Sequence, residues 1–157
     1  MATKPQTGER LIASNKKALH DYFIEQKFEA GLVLQGTEVK SLREGRAQLK
    51  DAYVIFKDDE AFLFGAHISP YAHGNRENHE PERTRKLLLH RREIEKLRTQ
   101  TVEKGLTVVP LRLYFKGAKV KAEIAIVRGK RQYDKRDTEK AREADREAAA
   151  AMKERRR

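Results

Sequence analysis

Leu106-Thr-Val-Val-Pro-Leu-Arg-Leu-Tyr-Phe-Lys-Gly-Ala-Lys-Val-Lys-Ala-Glu-Ile-Ala-Ile-Val-Arg128 is the stretch that decides the fold. Val109, Leu111, Leu113 and Phe115 recur at every second position, and beyond Gly117 so do Val120, Ala122, Ile124 and Ile126. Successive strand side chains point to opposite faces, so this is a hairpin of two strands sharing one apolar face. Upstream, Tyr22 to Leu34 alternates too, with Tyr22, Ile24, Phe28, Ala30, Leu32 and Leu34 on one face and Gly31 read as a bulge or bend. Asp51–Lys57 and Glu60–Ile68 read as two more strands around an Asp58-Asp59 turn. In the second of these, Phe62, Phe64, Ala66 and Ile68 are expected to share a face. Lys86–Leu89 reads as a short strand.

Helices fill the gaps. Asn15-Lys-Lys-Ala18 opens a short turn or helix with Ser14 or Asn15 as N-cap. Thr37 is expected to cap a helix over Glu38–Glu44 that Gly45 ends. Ile94 and Leu97 give the apolar side of a helix over Arg91–Lys104, ended by Gly105. Five or six strands with short turns predict a mainly β fold with peripheral helices, a small antiparallel barrel of the oligonucleotide-binding type. It spans 12–128, after a flexible lead over 1–11 and before a basic tail over 129–157. The tail is rich in Ala, Glu and Arg, and Met152 is the only large apolar side chain from Glu139 onward. Such a segment is expected to be disordered when free and helical on a partner.

Composition narrows the function. The 157 residues carry 35 Lys+Arg against 24 Asp+Glu, net +11. Residues 1–128 hold 24 basic against 17 acidic, net +7; residues 129–157 hold 11 against 7, net +4. A surplus of this size points to a polyanion. There is no apolar run long enough for a membrane span and no apolar core for a signal peptide in Met1–Ser14, so a cytoplasmic protein without a membrane partner is expected. Zero Cys excludes disulfides, thiolate metal sites and a Cys nucleophile.

No catalytic pattern emerges. His73 and His79 share a loop with Glu77, Glu80 and Glu82, but their spacing matches no metal-binding arrangement, and no metal or cofactor is expected. No nucleophile elbow, phosphate-binding loop or dinucleotide fingerprint occurs. Binding is the better reading. Arg83, Arg85 and Lys86 are placed to neutralise phosphates, and one of Leu87, Leu88 and Leu89 must point outward beside them to pack on an unstacked base. Glu29 on a basic surface can accept hydrogen bonds from exocyclic base amines, or serve only as a surface charge. Tyr133, between Lys130-Arg131 and Lys135-Arg136, suits stacking on a base while cations hold the backbone. The competing readings are a general RNA-binding protein with the same barrel and a His-dependent nuclease.

Several stretches together resemble one family. They are Asn15-Lys-Lys-Ala18, His20-Asp-Tyr-Phe-Ile24, Glu29-Ala-Gly31, Leu34-Gln-Gly-Thr-Glu-Val-Lys-Ser-Leu-Arg43, Arg83-Thr-Arg-Lys-Leu-Leu-Leu-His90, Val109-Pro-Leu111, Leu113-Tyr-Phe-Lys116 and Gly129-Lys-Arg-Gln-Tyr-Asp-Lys-Arg136. Their order and spacing are similar to the SsrA-binding (small protein B) family of bacterial trans-translation. The resemblance implies a barrel that grips the transfer-RNA-like domain of transfer-messenger RNA and enters the A site of a stalled ribosome; a monomer in a 1:1 complex with RNA is expected, since no apolar stripe is left over for a second copy. It implies RNA contacts at Asn15, Lys16, Glu29, Arg83, Arg85, Lys86 and Leu88. It further implies that Lys130, Arg131, Tyr133, Asp134, Lys135 and Arg136 reach the small-subunit ribosomal RNA at the decoding centre and the message channel.

Overall fold

The computed structural model describes residues 9–72 and 77–130. Nine strands and three helices occur among them: β1 (Glu9–Ser14), α1 (Lys16–Asp21), β2 (Tyr22–Leu32), α2 (Gly36–Arg43), β3 (Ala47–Gln48), β4 (Tyr53–Lys57), β5 (Glu60–Phe64), β6 (His67–Ile68), β7 (Arg85–Leu88), α3 (Arg91–Val102), β8 (Thr107–Lys116) and β9 (Lys119–Gly129). The expected mainly β architecture with peripheral helices is present. Seven strands form one antiparallel sheet in the order β1-β8-β9-β2-β7-β5-β4, and β3 pairs with β6. The hydrogen-bonded ladder is open between β1 and β4. The sheet curls until β4 packs against β8, which wraps it around the core without closing it.

The first strand lies where the sequence reads a flexible lead. Its residues show no clean alternation, yet β1 pairs with β8 from Glu9↔Lys116 to Ser14↔Arg112. An edge strand needs only a neighbour's unpaired backbone groups, not an apolar face of its own.

Two bulges overturn the single apolar face expected for the long strands. Glu25 is an extra residue in β2 opposite the step Val127/Ile126, and Leu111 is an extra residue in β8 opposite Ile124/Glu123. One extra residue reverses side-chain parity. Phe28, Ala30 and Leu32 therefore face the main core with Val108, Leu113, Phe115 and β9's Val120, Ala122, Ile124 and Ile126. Tyr22, Ile24, Val109 and Leu111 face the other way, where with Ala125 and Val127 they receive Ala18 of α1. The bulges thus create a second, smaller apolar cluster on the outer face of the sheet that docks α1. Gly31, read as the bulge, sits instead in regular register between Leu88 and Lys121.

The β4–β5 hairpin turns through Asp58 (φ 53°) and Asp59 (φ 64°), left-handed positions that Asp tolerates and that match strand twist. Ala61 and Leu63 point inward, while Phe62 is half-buried and Phe64 exposed on the outer face. The expected Phe62/Phe64/Ala66/Ile68 face is broken at Gly65, whose φ of +88° bends the chain and turns Ala66 and Ile68 into the core. A Cβ there would also meet Ala52 Cα at 3.5 Å. The N-cap of α2 is Gln35, whose N–H donates to Glu38 Oε1 at 2.8 Å; Thr37 Oγ1 instead hydrogen-bonds His79 Nδ1 at 2.9 Å. Leu97 of α3 is fully buried, with Ile94 packed beside the same core.

Candidate nucleic-acid interface

Strand β7 supplies the cluster in which the sequence places phosphate-binding cations. Its alternation sends Arg85 and Leu87 inward and Lys86 and Leu88 outward. Arg85 is therefore no phosphate contact: it is fully buried, and its guanidinium is spent inside the protein. Nε donates to Glu38 Oε2 at 2.7 Å, Nη1 to the Ala66 carbonyl at 2.9 Å and Nη2 to the Pro81 carbonyl at 3.0 Å. Arg83 is held by the same carboxylate, with Nη2 2.7 Å from Glu38 Oε1 and Nε 3.2 Å from Oε2. Glu38 is fully buried. Burial alone would raise its carboxyl, but hydrogen bonds from Arg83, the Gln35 N–H and Arg85 outweigh that and hold it below the usual carboxylate range. This triad ties α2, β7 and the segment before β7 together, so its work is to hold β7 in place.

Leu88 is the outward leucine, 51% exposed. It lies opposite Gly31 in the ladder, and a Cβ on Gly31 would come within 3.3 Å of Leu88 Cβ. The glycine lets the leucine lie down across β2. Around the pair opens a shallow hollow of about 750 Å³, lined by Glu29, Lys86, His90, Arg91 and Lys121, with Asp58, Asp59 and Glu60 on one rim. Lys86 Nζ pairs with Glu60 at 2.9 Å.

Glu29 stands on the same outer face, half-exposed. The Tyr114 hydroxyl donates a short hydrogen bond to it, and Lys116 Nζ lies 3.3 Å from both carboxylate oxygens. The Tyr114 hydrogen bond, more than Lys116 or the nearby Lys121, keeps the Glu29 carboxyl below its ordinary value. Burial and then Glu29 itself push the Tyr114 hydroxyl well above its own. Arg112 stacks over the Tyr114 ring at 4.2 Å. The carboxylate is thus ionised and held by two donors, while its partly exposed side chain keeps room to accept from a ligand.

Asn15 and Lys16 sit at the start of α1. Asn15 is buried and fully used: Oδ1 accepts from the Ala18 N–H at 3.0 Å, and Nδ2 donates to the Pro110 carbonyl at 2.9 Å and the Leu49 carbonyl at 3.3 Å. Its side chain positions α1 and has no group left for RNA. Lys16 beside it is exposed. Lys130, at the last described residue, lies over the Phe23 ring at 5.4 Å. Arg131, Tyr133, Asp134, Lys135 and Arg136 lie outside the described residues, as does His73. Among the described residues no three His, Cys, Asp or Glu side chains gather in a metal-binding group, and no helix is long and apolar enough to cross a membrane.

The structure therefore gathers Glu29, Lys86 and Leu88 on one outer face, places Lys16 on α1 beyond β4, and withdraws Arg85 and Asn15 into the scaffold. Sequence reasoning missed Gly31, Lys121 and Tyr114. A glycine inside an alternating strand was the available signal for the first, since it marks close approach as well as a bulge. An outward apolar seat flanked by cations and a fixed acceptor is chemistry that suits an unstacked base next to phosphates.

Comparison with known proteins agrees. The family model described as SmpB protein matches residues 12–154. The chain is 60% identical over 150 residues to the SsrA-binding protein of Geotalea uraniireducens (strain Rf4), covering 96% of this chain and 99% of that one. It is 57% identical over 151 residues to the SsrA-binding protein of Geobacillus kaustophilus (strain HTA426), covering 96% and 97%. A solved chain from "tmRNA-SmpB: a journey to the center of the bacterial ribosome" superposes with a TM-score of 0.65 at 43% identity, covering 75% of this chain and 83% of that one.

Proposed function

The chain belongs to the SmpB family, and on that premise we propose that it is an RNA-binding adaptor of trans-translation. It binds the transfer-RNA-like domain of transfer-messenger RNA and delivers it to the A site of stalled ribosomes in the cytoplasm. The observation that carries this reading is Leu88: a half-exposed leucine seated on Gly31, between Lys86 and Lys121 and beside the fixed carboxylate of Glu29.

The mechanism asks no bond chemistry of this protein. Leu88 packs on an unstacked base, Glu29 accepts from a base edge, and Lys86, Lys121 and Lys16 neutralise phosphates. Asn15, whose family position is linked to RNA binding, and Arg83 and Arg85, expected as phosphate contacts, act at one remove by fixing α1 and β7. The adaptor works as a monomer without a cofactor and is not an enzyme; the ribosome supplies peptidyl transfer. The segment 129–157, basic and rich in helix formers, orders in the decoding centre and message channel, with Tyr133 stacking and Lys130, Arg131, Lys135 and Arg136 meeting ribosomal RNA.

Leu88→Asp tests the barrel's share. Leu88 is exposed, so the variant should stay folded and lose at least tenfold in affinity for a transfer-messenger RNA transcript. Parental affinity in the folded variant would sink the assignment. Truncation after Gly129 should spare RNA affinity and abolish peptide tagging on stalled ribosomes. Tagging that survives truncation refutes the tail's role.

A further inference from the structure

The outer face of β4 and β5 carries aromatic side chains that neither apolar cluster uses. Tyr53 and Phe64 are register partners, 41% and 43% exposed, with ring centroids 5.3 Å apart and planes tilted by 52°. The next outward pair is Ile55 and Phe62, both half-buried. Their sequence neighbours Val54 and Leu63 point into the core, which places all four on the outside. Phe62 lies opposite Lys86, two residues before Leu88 on the same face of β7. At the other end Tyr53 borders a small hollow with Asn15 and Lys17 of the α1 corner. The strip joins the two separated parts of the candidate interface, and β4 and β7 are only two strand spacings apart, about 10 Å. Adjacent exposed aromatics of this kind mark an interaction surface.

We propose that Tyr53 and Phe64, continued by Phe62, are a stacking platform for unpaired bases of the RNA that Leu88 contacts; the proposal rests on the RNA-binding reading above. Aromatic rings stack on any base face, so the platform would add affinity without reading sequence. The charges at its rim are compatible with a polyanion. Asp51 pairs with Lys17, Glu60 with Lys86 and Asp59 with Arg98, which leaves exposed Lys50 and Lys57 against Asp58. Lys57 ends β4 and Lys50 lies just before it in the chain, so a cation stands toward each end of the strand that carries Tyr53.

The test is a Tyr53→Ala/Phe64→Ala double variant of the full chain, with thermal unfolding as the check on folding. Affinity for a transfer-messenger RNA transcript is measured across a salt series, with Leu88→Asp in parallel. The platform predicts roughly tenfold or greater weakening with the slope of log K against log salt unchanged, because no cation is removed. The swap Tyr53→Phe/Phe64→Tyr should restore most of the loss. A folded double variant that binds like the parent while Leu88→Asp fails overturns the platform and leaves the RNA-binding reading standing. If Leu88→Asp also binds like the parent, that reading falls as well. Parental RNA affinity combined with impaired tagging would assign the strip to a protein partner and likewise overturn the proposal.

Discussion

Glu38→Gln is the perturbation with the largest consequence expected from a single atom change. Both Glu38 and Arg85 are fully buried, and the carboxylate receives Nε of Arg85, two nitrogens of Arg83 and the Gln35 N–H. Gln keeps one acceptor oxygen but removes the charge, so the Arg85 guanidinium is left buried without a counter-ion. Breaking one partner of a buried pair costs about 3–5 kcal/mol. Arg83 contributes little of this, because its side chain is 28% exposed and can turn to water. Against a typical stability of roughly 5–15 kcal/mol the loss is severe. At about 4 °C per kcal/mol for a domain of this size, Tm should fall by roughly 12–20 °C. Urea unfolding of parent and variant at pH 7 measures it. The carboxyl is held below its ordinary value of 4.5 in the folded chain, so its contribution is present above that pH and lost as the pH falls through the folded value. The gap between parent and variant should therefore narrow in acid below about 4.5 and stay constant above it. A loss under about 1 kcal/mol at pH 7, or a gap that widens in acid, would refute the buried-pair argument. Replacing both partners by apolar residues, Glu38→Leu with Arg85→Met, should recover much of the loss, since neither charge then needs a partner.

Three further outcomes follow from the same geometry. Gly31→Ala puts a Cβ 3.3 Å from Leu88 Cβ, an atom that no side-chain rotation moves, so β7 must shift slightly away from β2; RNA affinity should fall several-fold with a modest drop in Tm, read by titration and thermal unfolding. Asn15→Ala removes an N-cap and the Nδ2 donor of the Pro110 carbonyl, while the Leu49 carbonyl keeps the Ala52 N–H; the cost is about 2 kcal/mol, and RNA affinity per folded molecule should hold at low temperature where α1 stays docked. Tyr114→Phe takes away the hydroxyl that chiefly lowers Glu29, so the Glu29 pKa, followed by NMR titration, should move up toward its ordinary 4.5; no movement would mean the hydrogen bond is not what holds it.

The last hairpin, the β4–β5 turn, the cap at Asn15 and the helix carrying Ile94 and Leu97 were legible from the residues, because each is a local pattern of period or turn chemistry. So was the family, since the series of matching stretches does not depend on which way a side chain points. Parity was the failure. The sequence of β2 or β8 reads as one apolar stripe whether or not a residue is extruded, and only pairing with β9 extrudes Glu25 and Leu111. The same limit hid Arg85. Three cations in four positions look alike in a sequence, yet strand alternation and a carboxylate 47 positions away send one inward and leave its neighbour Lys86 in water.

By itself, then, the sequence determined a mainly β fold with peripheral helices and a basic charge suited to a polyanion, because both are sums over local preferences and composition. Only the tertiary structure decided which side chains stay on the surface, free to meet a partner. That depends on register, on the two bulges that reverse it, and on a buried carboxylate that turns two of the expected contacts into supports for the strand presenting Leu88.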